Sequence, residues 1–271
     1  MPSVAYDNKA FMGYVKFISI SLLIGLYLVS TSPFLMIFKF APFWSRSYLS
    51  YIVAFFSRLI LAVANINISI DQKEQKVDRN KSYFIVSNHL SYLDILVLSS
   101  YFPSSFITSV EMKETPLLGE ITTLAGCVFV ERRSKENINN EISEITMSLK
   151  KGLNIIVFPE STSMDGKTVY PFKRSMFQAA IDAKVDVLPL IIEYKSLNTE
   201  TLDKKNKDVL YWYDETPFLT HFLRLCKQKS ASVTLHVGPV IRRDKLPNCS
   251  GDLRDATFNI IYKKFHSLMK S

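Results

Sequence analysis

The chain is poor in the residues that mark unusual architectures. Its 271 residues hold 8 glycines and 11 prolines, too few for a collagen-like or low-complexity chain. The three cysteines, Cys127, Cys226 and Cys249, are odd in number, widely spaced and without metal-ligand spacing. That excludes a disulfide framework or zinc ribbon and fits a reducing compartment. No repeat period is visible, which removes solenoids and propellers. No P-loop, GxGxxG fingerprint or nucleophile elbow occurs, and no metal site is expected. Acidic residues are in deficit, 25 against 33 basic ones, leaving a formal charge of +8. A basic chain asks for an anionic partner: nucleic acid, an anionic membrane surface, or a phosphorylated or thioester-carrier substrate. Nucleic acid is disfavoured, because no recognisable module or dense basic–aromatic stripe is present.

What is present is apolar. Hydrophobic residues make up 48% and charged residues 21%, enough for a packed core and too apolar for disorder. The excess is concentrated near the N-terminus. From Phe17 to Phe38 no charged residue occurs, with Lys16 and Lys39 on the flanks. About 20 apolar residues cross a hydrocarbon core, and flanking lysines can snorkel to headgroups. The run is too long for a signal-peptide core, and no small-x-small cleavage site follows it. Ser30, Thr31, Ser32 and Pro33 interrupt it, so a full span and a re-entrant hairpin both stand. The next segment, residues 41–65, carries Trp44, Tyr48 and Tyr51 with only Arg46 and Arg58 as charges. It reads as an amphipathic or semi-buried helix lying on the bilayer. Residues 1–70 are thus expected as a membrane unit. The basic residues after the run favour a cytoplasmic C-terminal domain.

Residues 71–271 read as one α/β domain, with a polar connector over Asp71–Lys81. The periodicity predicts strands at Tyr83–Ser87, Ser105–Val110, Val128–Glu131, Asn154–Phe158, Val185–Ile192 and Ser232–Val237. Helices are expected at Tyr92–Tyr101, Leu117–Leu124, Lys135–Lys151, Ser175–Ala183, Thr216–Lys229 and Asp252–Lys270. Such alternation makes βαβ units and a mostly parallel central sheet flanked by helices. Sites in such sheets lie at the carboxyl ends of strands, and here the unusual polar residues follow the apolar runs.

The first is YFIVSNHLSYLDI, in which Asn88, His89 and Asp94 follow an apolar strand. Five residues apart on one helix, two side chains point about 140° away from each other. They meet only if His89 lies in the strand-to-helix turn and Asp94 in the helix's first turn. Asp94 would then accept from His89 Nδ1–H and leave Nε2 as a general base for a substrate hydroxyl. The alternative is structural: Ser91 with Asp94 three residues later also resembles a capping box.

This NHxSxxD stretch has company. Met112–Arg132 reads MKETPLLGEITTLAGCVFVER, Asn154–Gly166 reads NIIVFPESTSMDG and Val185–Ile192 reads VDVLPLII. In order and spacing these four blocks resemble the glycerophospholipid acyltransferase family, which includes the lysophosphatidic acid acyltransferases. The likeness covers roughly residues 50 to 242. It implies acyl transfer from acyl-CoA or acyl-carrier protein to the free hydroxyl of a lysolipid, without a cofactor, a protein nucleophile or a covalent intermediate. It makes membrane lipids the partners, and the inner membrane of a bacterium, with the catalytic domain inside, the expected location.

The resemblance also implies roles. His89 would be the base and Asp94 its orienter. Arg132, after the VFV run, would address the acceptor's phosphate (an ordinary surface charge is its alternative), with Lys113 near it. Glu160, Ser161 and Thr162 would help build the acceptor site, and Lys173 would address phosphate or carrier. Two departures stand out: Ser161 replaces the family's glycine after the glutamate, and Ser163 stands where arginine is often found. Both bear on the acceptor and leave room for one without a phosphomonoester, such as a lyso-ornithine lipid. A non-catalytic lipid-binding member is the rival from another class.

Overall fold

Short apolar runs build the sheet and long ones clothe it. The computed structural model describes residues 3–34, 37, 40, 42–73, 75–131 and 138–269. Its strands are β1 (Ile66–Asp71), β2 (Tyr83–Ser87), β3 (Ser104–Ser109), β4 (Val128–Val130), β5 (Asn154–Val157), β6 (Asp186–Leu197), β7 (Glu200–Thr201) and β8 (Ala231–Val237). Their order across the sheet is β1-β8-β6-β2-β5-β3-β4, with β7 on β6. The block from β6 to β4 is parallel. β8 runs antiparallel to β6, and β1 lies parallel to β8. β2 is buried at every position, as a central strand covered on both faces must be.

The period-2 alternation of β2 divides the core. Ile85 faces one hydrophobic cluster, while Phe84 and Val86 face another. On the first face lie α1 (Ser3–Thr31), α2 (Pro42–Ala64), α3 (Leu93–Tyr101) and α8 (Phe218–Cys226). On the second lie α6 (Ile138–Lys150), α7 (Phe177–Ala183) and α9 (Ser250–Leu268). Two short helices, α4 (Val110–Lys113) and α5 (Leu118–Leu124), join β3 to β4. Gly119 is needed there: a Cβ at this position would sit 2.1 Å from the Lys113 carbonyl oxygen.

The apolar N-terminus forms two helices, with stretches Ala10–Thr31 and Phe43–Ala64 long and apolar enough to cross a membrane. Neither stands apart from the domain. Phe17 packs on Phe222 with ring centroids 5.7 Å apart, and the Tyr27 hydroxyl donates to Ile121 O at 3.1 Å. Lys16 does not reach outward. Its ammonium donates to the carbonyls of Ala64, Gln228 and Lys229 at 2.9, 2.8 and 3.1 Å, because carbonyls left open at chain and helix ends need donors. Lys39 lies outside the described residues. Arg46 is likewise turned inward, buried, ion-paired with Glu144 and bonded to Gly126 O, whereas Arg58 stays exposed while donating to Ser100 O at 2.7 Å.

β1 crosses the boundary expected at residue 70. It pairs with β8 from Ile66↔Ala231 to Asp71↔His236, so the sheet begins within the stretch assigned to the membrane unit. His236 fastens this corner, facing Asp71 at 3.1 Å through Nδ1 and Glu193 at 2.7 Å through Nε2.

Candidate active site

β2 lies between β5 and β6, so residues beyond its carboxyl end meet those of both neighbours. Asn88 extends the strand by one step with its side chain. Nδ2 donates to Ile192 O at 3.1 Å and Oδ1 accepts from Ile192 N at 2.8 Å, a pairing that imitates a backbone ladder rung. The chain then turns, and His89 precedes α3.

Asp94, in the first turn of α3, is fully buried and surrounded by donors. Its Oδ2 accepts from Leu90 N at 2.6 Å and Ser91 N at 3.0 Å, and lies 2.9 Å from His89 Nδ1. Its Oδ1 accepts from the Tyr194 hydroxyl at 2.7 Å. An oxygen already accepting two backbone N–H groups makes His89 Nδ1 the donor, which leaves Nε2 bare in the neutral imidazole. Ser91 Oγ accepts from Leu93 N at 3.4 Å. The carboxylate half of the capping box is thus present, Asp94 accepting from Ser91 N, while the serine half is not, and the same carboxylate pairs with the histidine.

His89 is clamped on its other sides. Its N–H donates to Glu160 Oε1 at 3.0 Å and its carbonyl accepts from Met164 N at 2.9 Å. The ring stacks on Phe158 at 4.0 Å and 12°. With 17% of the side chain exposed, Nε2 has no hydrogen-bond partner among the described residues. Glu160 follows β5, and its second oxygen accepts from Tyr170 N at 2.8 Å. Burial pushes its carboxyl up to about 7, against the two backbone N–H bonds that favour the charged form. Tyr194, on β6, is held well above the ordinary phenol range, first by burial and then by the neighbouring Asp94 charge.

The remaining candidates are spread along the same end of the sheet. Ser161 adopts φ +73°, a left-handed conformation that glycine takes without strain, and its N–H donates to Phe158 O at 3.0 Å. Thr162 is exposed. Ser163 spends its hydroxyl on Trp212 O, holding the loop rather than opening outward. Lys113 ends α4, exposed, with its ammonium 5.4 Å from the Phe129 ring centroid. Lys173 is exposed before α7, and its N–H donates to Pro159 O at 2.9 Å. Neither lysine bonds to His89 or Asp94 among the described residues. Arg132 lies outside the described residues.

An acyltransferase family model matches residues 68–193, the stretch that carries His89, Asp94, Glu160 and the strands beneath them. Over that stretch the chain is similar to the acyltransferase family. Within relatives of known name, the 1-acyl-sn-glycerol-3-phosphate acyltransferase of Neisseria gonorrhoeae is 35% identical over 133 residues, 49% of this chain and 52% of that protein. The lyso-ornithine lipid O-acyltransferase of Rhizobium meliloti is 28% identical over 180 residues, 64% of this chain and 62% of that protein. The chain thus spans between half and two thirds of the length of these relatives. The crystal structure of the 1-acyl-sn-glycerophosphate acyltransferase PlsC from Thermotoga maritima shares the fold, with a TM-score of 0.57 at 18% identity over 94% of this chain and 98% of that one. Tyr194 is the residue of this site that sequence reading misses: its only signal is a tyrosine two positions beyond the predicted end of the proline-bearing strand.

Proposed function

We propose that the acyltransferase domain transfers a fatty-acyl group from an acyl thioester, acyl-CoA or acyl-carrier protein, to the free hydroxyl of a lysolipid at a membrane. The observation that carries this reading is the 2.9 Å pairing of His89 Nδ1 with buried Asp94, which leaves Nε2 open at the carboxyl end of the central strand. Nε2 takes the hydroxyl proton as the lysolipid oxygen attacks the thioester carbonyl carbon. Asp94 stabilises the imidazolium so formed. The tetrahedral intermediate collapses with loss of the C–S bond, and the leaving thiolate takes the proton back from His89. An ester and a thiol result, with no covalent enzyme intermediate. General-base catalysis contributes about 10²–10⁴-fold, and positioning much of the rest.

The acceptor placed first is 1-acyl-sn-glycerol 3-phosphate, giving phosphatidic acid, as the name of the Neisseria relative indicates for that protein. Lyso-ornithine lipid is the second reading. It is favoured by Ser163, whose hydroxyl is tied to Trp212 O where a phosphate-binding arginine would otherwise stand, and by the name of the Rhizobium relative. The exposed apolar stripes of α1 (Phe11, Val15, Ile18, Leu22, Leu26, Val29) and α2 (Trp44, Tyr48, Tyr51, Phe55) face away from the domain. Both helices touch the domain at several points, through Lys16, Phe17 and Tyr27 of α1 and Arg46 of α2, so we place these stripes in one leaflet with the domain flush against it, on the cytoplasmic side of a bacterial inner membrane.

Membranes carrying the protein, given labelled acyl-CoA or acyl-carrier protein and a panel of lysolipids, test the reading. Wild type forms a labelled diacyl product with at least one acceptor, and His89→Ala and Asp94→Asn abolish it. Product formation by His89→Ala refutes the mechanism, and silence of the wild type across the panel refutes the function.

A further inference from the structure

A polar cavity lies at the opposite end of the central strands from His89. It has a volume of about 350 Å³, and among its lining residues are Ser50 and Tyr51 of α2, Arg79 and Lys81 before β2, Pro103 before β3 and Asn154 at the start of β5. That volume falls in the ~300–1,000 Å³ range of ligand pockets. β2 alone, five residues at about 3.3 Å each, puts roughly 16 Å between it and the His89 turn.

The cavity is basic and uncompensated. Arg79 is fixed by a 2.7 Å bond to Tyr101 O and by stacking over the Tyr101 ring at 4.5 Å, which leaves its charge unpaired. Lys81 is exposed. Beside them Lys151 rests its ammonium 4.3 Å from the Phe43 ring centroid. Among the described residues no carboxylate lines the cavity, and none ion-pairs with these three cations.

Its rim is continuous with the apolar face of α2. Tyr51 lines the cavity and is still 66% exposed, and Trp44, Tyr48 and Phe55 lie on the same side of the helix at i−7, i−3 and i+4. Aromatic side chains beside unpaired cations mark the depth at which a bilayer changes from tails to headgroups. We infer that this cavity seats the phosphate of an anionic membrane phospholipid, with its acyl chains lying along Tyr51 and Phe55. The inference rests on the bilayer placement proposed above. A soluble phosphate would use the same cations but would gain nothing from the aromatic rim.

The test is lipid retention by the full chain purified in neutral detergent, read by native mass spectrometry with dioleoyl phosphatidylglycerol or dioleoyl phosphatidylcholine. Each Lys or Arg near an anionic surface contributes about fivefold in affinity. Wild type and His89→Ala should retain one phosphatidylglycerol in preference to phosphatidylcholine. Lys81→Gln should weaken that retention about fivefold, and Arg79→Gln/Lys81→Gln roughly tenfold to thirtyfold. Equal retention of the two lipids, unchanged preference in the double variant, or loss of preference in His89→Ala overturns the inference. So does displacement of the lipid by glycerol 3-phosphate as readily as by phosphatidylglycerol. Acyl transfer assayed on the same preparations reports separately on the proposed function, so either reading can fail alone.

Discussion

Replacing Glu160 with glutamine probes the clamp beneath the imidazole and has a sign fixed by pH. Glu160 is buried, its two oxygens each accept a backbone N–H, from His89 and from Tyr170, and burial raises its carboxyl from 4.5 to about 7. The folded protein therefore holds this proton more tightly than the unfolded chain does. The stability it contributes is fully present below about 4.5 and is lost as pH rises through about 7. Between pH 8 and pH 5 the wild type should gain about 2–3 kcal/mol from this group. Glutamine does not titrate, and its amide turns a donor toward one of the two N–H groups, a loss of about 1–3 kcal/mol at any pH. At pH 8 that loss is offset by relief of a buried charge, and the two proteins should be close in stability or the variant slightly ahead. At pH 5 the wild type should lead clearly. For a chain of this size about 1 kcal/mol moves Tm by roughly 2–4 °C, so the gap should open by some ~5–12 °C across that range. The assay is thermal unfolding of both proteins in neutral detergent at several pH values, where all other titrating groups cancel in the difference. A gap that stays constant with pH, or one that widens toward alkaline pH, refutes the reasoning.

Tyr194→Phe removes the only donor described on Asp94 Oδ1. It should destabilise the fold by about 1.5–3 kcal/mol. It also frees the carboxylate that orients His89, so kcat should fall with KM little changed; a loss of Tm with unchanged kcat would reduce Tyr194 to a structural role. Gly119→Ala puts a methyl 2.1 Å from the Lys113 carbonyl oxygen and should cost about 1–3 kcal/mol in unfolding free energy; a neutral result would mean that the α4–α5 corner yields freely. Lys16→Met strips a shared donor from the Ala64, Gln228 and Lys229 carbonyls. It should destabilise by about 1.5–3 kcal/mol and speed amide hydrogen exchange around Asn65 and Ser230, whereas unchanged exchange there would show the junction to be held by packing alone.

The central strands were legible because their apolar runs are short and bounded by polar residues: Tyr83–Ser87 is both the expected and the observed strand. β1 was not, although Ile66, Ile68 and Ile70 alternate with Asn67 and Ser69. It follows a long apolar helix without a break, and a period of two is masked where hydrophobicity is already continuous. β6 runs on to Leu197 past Glu193 and Lys195, charges that end a strand in a sequence reading but here face His236 and each other. The His89–Asp94 pairing was legible from spacing and turn geometry, since both residues lie within one strand-to-helix turn. Tyr194 and the backbone-holding role of Glu160 were not, because they depend on which strands flank β2, and lateral order in a sheet leaves no local signature. The outward reach expected of Lys16 failed for a similar reason: the open carbonyls that capture it come from segments 48 and 212 residues away.

The pairing of β1 with β8 has a consequence for synthesis on the ribosome. β1 emerges early, directly behind two long apolar helices, yet among the described residues its one sheet neighbour is β8, which is made much later. β6 waits for the same strand on its open side. Until residue 237 has left the exit tunnel, both carry bare hydrogen-bonding edges, and any nascent chain stalled before Ala231 would present two adhesive borders at once.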